Sequence, residues 1–176
     1  MVDDVKKSVQ VSVKFNSDLS KNGVLVFGEP REGAQKRFTI SAVIQREVDG
    51  MFLLVFWPKF GWVAPVVGGI DAGEEPEVAA EREVFEETGY KVKASKKLGG
   101  LVESHFFAEN KNVWRHRVDQ PVLLKIISDE TQIVSDEEKA RQEVIWLSAE
   151  DALKKMTHPD NTIGIRRFLG LKELDW

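Results

Sequence analysis

Eight carboxylates and a single cation fall within residues 68–90, GGIDAGEEPEVAAEREVFEETGY. Good helix formers followed by a glycine predict a helix over residues 76–88. Within that helix Glu83, Glu86 and Glu87 project from one face, because they stand three and four positions apart. Like charges at this spacing repel, so the cluster needs a positive partner that the local sequence does not supply.

A bound cation is the partner that these residue types favour. Carboxylates offer only oxygen ligands, and oxygen ligands suit hard divalent ions such as Mg²⁺ or Mn²⁺. The one cation of the segment, Arg82, adjoins the cluster and is expected to hold a carboxylate in place through a bidentate contact. The glycines that precede the helix let the backbone turn tightly and approach a ligand closely.

The spacing of these residues resembles the Nudix box, G-x5-E-x7-R-E-U-x-E-E-x-G-U, where U is a bulky apolar residue. Gly68, Glu74 and the run from Arg82 to Tyr90 fill every fixed position. A tryptophan-containing strand before a late helix, EVIWLSAEDAL, also resembles the family. The resemblance covers about residues 37–170 and implies an α/β fold, a Nudix-type α/β/α sandwich with a mixed β-sheet.

The activity that this resemblance implies is a Mg²⁺-dependent hydrolysis of a nucleoside diphosphate linked to another moiety. Water attacks one phosphorus of the pyrophosphate, and the metal activates the water and neutralises charge. The implied metal ligands are Glu83, Glu86, Glu87, Glu74 and the backbone carbonyl of Gly68, with Glu86, Glu83 and Arg82 as catalytic residues. The alternative is a non-catalytic Nudix-fold sensor or module that binds a nucleotide.

Further site residues are expected outside the box. The general base of the family varies in position, and here Glu137 or Glu138 is the first choice and Glu103 the second. The candidates for substrate contacts are Arg115, Arg117, Phe107 and Trp62. Each of these residues also has an ordinary structural interpretation, as a solvated charge or as a core aromatic side chain.

Composition excludes several other classes of function. The sequence has no cysteine, so it has no disulfide framework, no thiolate metal site and no cysteine nucleophile. A net charge of −4 argues against a nucleic-acid or membrane-surface partner. The charged N-terminus and the absence of a long apolar run predict a cytoplasmic protein. The expected partner is a small molecule, and the resemblance also suggests a homodimer.

The elements around the box read as a mixture of strands and helices. Strands are predicted over residues 37–47 and 51–57, joined as a hairpin at Asp49 and Gly50. Residues 90–108 predict one bent strand or two consecutive strands, broken at Gly99 and Gly100. Residues 113–128 predict a long strand, in which Pro121 indicates an edge or a bulge.

The two ends of the chain complete the expected organisation. Residues 129–142 predict an acidic loop, residues 143–148 a short strand, and Ser148 the cap of a following helix. Residues 161–169 predict a second late helix, and residues 8–27 two short strands. The expectation is one globular domain, with residues 1–36 as an extension packed on a Nudix domain of residues 37–176.

Overall fold

The computed structural model describes residues 24–108, 111–128, 131–132 and 134–174. Its strands are β1 (Leu25–Phe27), β2 (Gln35–Ile44), β3 (Phe52–Trp57), β4 (Trp62–Ala64), β5 (Val67–Gly69), β6 (Lys91–Lys97), β7 (Val102–Ala108), β8 (Val113–Ser128) and β9 (Glu143–Leu147). Its helices are α1 (Pro76–Thr88), α2 (Asp136–Arg141), α3 (Ala149–Lys155) and α4 (Ile163–Phe168), with a 3₁₀ helix (Pro159–Thr162) before α4.

Six strands form a mixed sheet in the order β1-β7-β8-β2-β5, with β6 also paired to β8. β8 is the centre of this sheet, because its 16 residues pair with β2 on one side and with β7 and then β6 on the other. The β2–β8 and β1–β7 pairs are parallel, whereas β5 is antiparallel to β2, and β6 and β7 are antiparallel to β8. A second sheet of three strands has the order β4-β3-β9.

Helices cover both faces of the large sheet. On one face Ala79, Ala80 and Val84 of α1 pack with Ile40 of β2 and Val122 of β8 in one buried cluster. On the other face Ile163 and Ile165 of α4 belong to clusters that contain Val102 and Val43 of the sheet. This arrangement confirms the predicted α/β/α sandwich with a mixed β-sheet.

The prediction of an edge or bulge at Pro121 was wrong, because β8 is a central strand. The carbonyl of Pro121 accepts a hydrogen bond from the Leu98 N–H at 2.8 Å. The N–H and C=O of a strand residue point to the same side, so the N–H that proline lacks faces the place where β7 ends and β6 begins. The missing donor therefore falls in a gap between two partners.

The predicted hairpin at Asp49 and Gly50 is confirmed as a turn, but the two strands that it joins do not form an extended pair. The turn exists, with Gly50 at a φ of 73° and its N–H donating to the Arg46 carbonyl at 2.8 Å. However, β2 and β3 share a single bridge, Gln45 to Phe52, before they enter different sheets. Both strands are buried along most of their length. β2 pairs with β5 and β8, whereas β3 pairs with β4 and β9.

Two other predictions change in part. The segment over residues 129–142, predicted as a loop, contains the one-and-a-half-turn helix α2. Of the two strands predicted within residues 8–27, residues 8–23 lie outside the described residues, and residues 25–27 form β1 parallel to β7. The domain boundary at residue 36 stays a prediction. Every helix of the described residues is too short or too polar to span a bilayer.

Candidate active site

Helix α1 carries the carboxylates, and its local sequence explains where it lies. Pro76 begins the helix, where a missing N–H costs little, and Gly89 ends it at a φ of 75°. Three small or branched residues, Ala79, Ala80 and Val84, bury one side of the helix against the sheet. The carboxylates therefore lie on the flanks that this packing leaves free.

Arg82 joins the loop before α1 to the helix. Its Nε and Nη2 donate to the two carboxylate oxygens of Glu74 at 3.0 and 2.9 Å, which is a bidentate contact. Its Nη1 donates to Glu83 at 2.7 Å and lies 3.6 Å from Glu86. Nη2 also donates to the Gly69 carbonyl at 2.9 Å. One guanidinium thus fixes two carboxylates and the end of β5 relative to each other.

These contacts determine the protonation of Glu74 and Arg82. Hydrogen bonds from Arg82, and then from the Asp71 N–H, lower the pKa of Glu74 from 4.5 to about 2. The same contacts to Glu74 and Glu83 raise the pKa of Arg82 further above its ordinary range. Both groups are therefore charged at every pH at which the protein is expected to work.

The variant Glu74→Gln is expected to lose a pH-dependent part of the free energy of unfolding. A depressed pKa in the folded protein contributes stability above the ordinary pKa of 4.5, and that contribution disappears as the pH falls to about 2. The difference in unfolding free energy between wild type and variant should therefore be largest near neutral pH and shrink below pH 4.5. Urea unfolding from about pH 2 to pH 7 measures it. A difference that stays constant across this range would contradict the assignment.

Glu83 lies directly over Gly68 of β5. Gly68 pairs with Ile40 of β2, and a Cβ atom at this position would overlap the Cγ and Cδ atoms of Glu83. The Glu83 side chain is only 16% exposed and is held from the other side by Arg82. The glycine is therefore what lets the carboxylate approach the backbone of β5.

Glu87 turns toward elements that follow much later in the chain. One oxygen accepts a hydrogen bond from Gln142 Nε2 at 3.0 Å, and the other lies 3.7 Å from Arg141 Nη2. The Arg141 guanidinium in turn lies 5.0 Å from the centre of the Trp57 ring. The sequence analysis missed Arg141 and Gln142, because no local signal marks a contact between residues about 55 positions apart.

The donors around α1 fit a hard divalent ion, because all of them are oxygens. Glu86 is 57% exposed, whereas Glu83, Glu74 and Glu87 are at most 16% exposed. Glu74, Glu83 and Glu86 share Arg82 as partner, whereas Glu87 turns to Gln142 and Arg141. In the described part of the chain these carboxylates do not converge within 4.8 Å as a group of three.

The candidate general bases lie in different places. Glu137 is exposed on α2, the helix whose Arg141 contacts Glu87. Glu138 lies on the same helix, and its side chain is not among those described. Glu103 lies on β7, where it pairs with His116 at 2.7 Å. The structure thus brings α2 next to the end of α1 and leaves Glu103 apart from it.

The candidate substrate contacts are spread over the molecule. Arg115 and Arg117 lie on the face of β8 that is turned away from α1, and Arg117 Nη2 donates to Asp160 at 2.7 Å and to Asn161 at 2.8 Å. Phe107 is exposed on β7 and meets Trp114 edge to face. Trp62 stacks on Phe60 with ring centres 4.5 Å apart. The structure does not bring these four residues together, and their role stays a prediction.

Comparison with known proteins places this architecture in a family. The profile of the NUDIX domain matches residues 35–168. A diphosphoinositol polyphosphate phosphohydrolase 3-beta of Bos taurus is 38% identical over 127 residues, which is 70% of each chain. A human diphosphoinositol polyphosphate phosphohydrolase is 34% identical over 128 residues, covering 70% of this chain and 64% of that protein.

Solved structures of other proteins have the same fold as this chain. A MutT NUDIX hydrolase from Burkholderia pseudomallei is similar with a TM-score of 0.55 and 27% identity, covering 76% of this chain and 98% of that one. An Ap4A hydrolase from C. elegans shares the fold with a TM-score of 0.57 and 22% identity, covering 77% and 98%. Fold and family match together define a hydrolase of the α/β/α sandwich class. The chain belongs to the Nudix superfamily and is a Nudix pyrophosphohydrolase.

Proposed function

We propose that this protein hydrolyses a diphosphate bond of a small molecule with the help of Mg²⁺ held at the carboxylates of α1, with Mn²⁺ as a possible replacement. The observation that carries the proposal is the Arg82 contact set, which fixes Glu74 and Glu83 beside the end of β5. A structural role alone would not require the exposed Glu86 carboxylate beside this fixed pair. The all-oxygen donor set supports a hard ion.

Each residue of the site has a distinct proposed task. The proposed ligands are the carboxylates of Glu83, Glu86, Glu87 and Glu74 and the carbonyl oxygen of Gly68. A divalent ion bound there supplies charge neutralisation and an acidified water. Arg82 keeps Glu74 ionised and holds Glu83 in place. Glu137 or Glu138 is the proposed base that accepts the proton of the attacking water.

A cavity beside the end of α1 offers room for part of the substrate. Its volume is about 540 Å³, and its lining includes Glu87, Gln142 and Lys139. The lining carries the cation Lys139 together with the carboxylates of Glu87 and Glu143, so its charges alone do not favour an anionic ligand. The cavity therefore supports the proposal through its space beside Glu87 and not through its charge.

Two substrate classes follow from different observations. The box alone implies a nucleoside diphosphate linked to another moiety. The two curated relatives are named for diphosphoinositol polyphosphates, which also contain a phosphoanhydride, so this class is the second candidate. Both candidates are small anionic molecules that carry the same type of bond.

A substrate panel with two metal conditions tests the proposal. The purified protein is incubated with nucleoside triphosphates, ADP-ribose, nucleotide sugars, dinucleoside polyphosphates and diphosphoinositol polyphosphates, in Mg²⁺ or in chelator, and the products are identified by mass. We expect cleavage of one class at a phosphoanhydride, and its loss in chelator. Tight binding of one compound without cleavage would instead support the nucleotide-binding sensor. Cleavage that persists in chelator would contradict the metal requirement.

A further inference from the structure

Three potential metal ligands lie together on β7 and β8, away from the α1 carboxylates. His105 of β7 stands directly opposite His116 of β8 in the antiparallel register. Glu103 precedes His105 by two positions, so it projects from the same face of the sheet. This is the face that packs against α1. Gln120 is four positions after His116 on β8 and so projects from the same face, and it pairs with Ile40 of β2, which belongs to the buried cluster that contains the α1 residues.

The ligand atoms of this trio are close. One atom from each of Glu103, His105 and His116 lies within 4.8 Å of the others, and no other such group of three occurs in the described residues. His116 Nε2 lies 2.7 Å from Glu103 Oε2, and the two imidazoles stack with centres 4.3 Å apart and planes 23° apart. The neighbouring Val102 and Val118 are buried, which holds both strands in register.

We propose that Glu103, His105 and His116 form a second metal site, for a borderline divalent ion of the Zn²⁺ type. Two imidazoles and one carboxylate are a donor set that Zn²⁺ and its first-row neighbours favour, whereas Mg²⁺ prefers oxygens alone. Ligands at about 2.0–2.1 Å in tetrahedral geometry are separated by roughly 3.3 Å. The present ligand atoms lie within 4.8 Å of one another and the imidazoles are stacked, so binding would require the two rings to rotate out of the stack until their nitrogens converge on the ion.

An ion pair between His116 and Glu103 explains only part of this arrangement. It gives partners to one imidazole nitrogen and one carboxylate oxygen. It leaves His105 Nδ1 buried without a hydrogen-bond partner among the described residues. Buried polar atoms without partners are uncommon and costly, so the second histidine calls for a ligand rather than for a salt bridge alone.

The proposed site is separate from the α1 carboxylates. Gly68 of β5 pairs with Ile40 of β2, and His116 of β8 pairs with Lys36 of β2. The two places are therefore four residues apart along β2, and β8 lies two strands away from β5. With strands about 4.8 Å apart and about 3.3 Å per residue, the two places are roughly 16 Å apart. The proposal therefore does not depend on the function of α1, and the two sites can be tested independently.

Metal titration of the full chain tests this proposal. After removal of metals with chelator and dialysis, Zn²⁺ binding is measured by calorimetry, and Co²⁺ serves as a spectroscopic probe of coordination. Wild type is compared with His116→Gln, Glu103→Gln and His105→Asn, and circular dichroism checks that each variant is folded. Two matched controls are His158→Gln, which replaces the third of the three histidines, and Glu83→Gln, which alters α1.

With excess Mg²⁺ present to occupy the α1 carboxylates, we expect one Zn²⁺ per chain and a visible Co²⁺ spectrum in wild type and in both controls. Replacing an ordinary supporting residue of a metal ligand weakens affinity by about 10–100-fold, so loss of a ligand should weaken it by at least about 100-fold. The proposal is overturned if wild type binds no Zn²⁺, or if all three trio variants keep wild-type affinity. Loss of binding in Glu83→Gln alone would assign the ion to α1 and would also overturn it.

Discussion

Replacing Glu86 by glutamine is expected to lower kcat of the Mg²⁺-dependent hydrolysis by at least roughly 10²–10³-fold, the range found when one electrostatic contact to the reacting charge is removed. Glutamine keeps the size of the side chain and removes the charge that a hard cation needs. Glu86 is 57% exposed and lies 3.6 Å from Arg82 Nη1, so the stability of the fold should hardly change. Steady-state kinetics on the substrate found in the panel measure the effect.

The matched control for this variant is Glu77→Gln on the same helix. Glu77 pairs with Lys97 at 3.5 Å on the side of α1 that faces β6. Its replacement by glutamine therefore removes the same charge from the helix without altering the site. Mn²⁺ binding, followed by electron paramagnetic resonance, gives a second readout that needs no substrate. Near-normal turnover and Mn²⁺ affinity in Glu86→Gln, or equal losses in both variants, would remove Glu86 from the site.

The elements that the sequence predicted well are those that local signals determine. Helix α1 has the predicted bounds, residues 76–88, because Pro76 and Gly89 act within one turn of its ends. Ser148 caps α3 as expected, accepting from the Asp151 N–H at 3.2 Å. The break at Gly99 separates β6 from β7 as predicted. In each case the determinant and its effect lie within a few residues.

The errors occurred where partners are distant in sequence. The order of strands around β8 depends on pairs up to about 80 residues apart, such as Ile40 with Gln120. Nothing local shows that Pro121 lies where two strands on the same side of β8 meet. The buried Asp119 likewise has partners that are distant in sequence, because it accepts hydrogen bonds from Thr39 and Ser41 across the sheet at 2.7 Å.

The candidate site divides in the same way. The spacing within the box predicted that Arg82 would hold a carboxylate, and Glu74, eight residues away, is the one it holds in bidentate fashion. The contacts of Glu87 with Gln142 and Arg141 come from chain that the box does not reach. The part of the site that can be predicted from sequence is therefore the part formed by α1 and the loop before it.

The variant Gly68→Ala is expected to lower kcat/KM by roughly 10²-fold, the cost that a misplacement of about 1 Å has in a catalytic site. Its added methyl group would overlap Cγ and Cδ of Glu83, which Arg82 holds from the other side. The backbone of β5 is paired with β2 and resists movement, so the Glu83 carboxylate must move instead. The Mg²⁺ concentration for half-maximal activity should rise for the same reason.

The neighbouring variant Gly69→Ala separates this effect from a general disturbance of β5. Its methyl group would point to the opposite face of the sheet, where it meets the end of the exposed and flexible Arg37 side chain. Both variants remove a glycine from the same strand, and neither position has a positive φ. A large loss in Gly68→Ala with little change in Gly69→Ala therefore locates the effect at the Glu83 carboxylate. Equal losses in both would show that the backbone of β5, and not the position of Glu83, limits the activity.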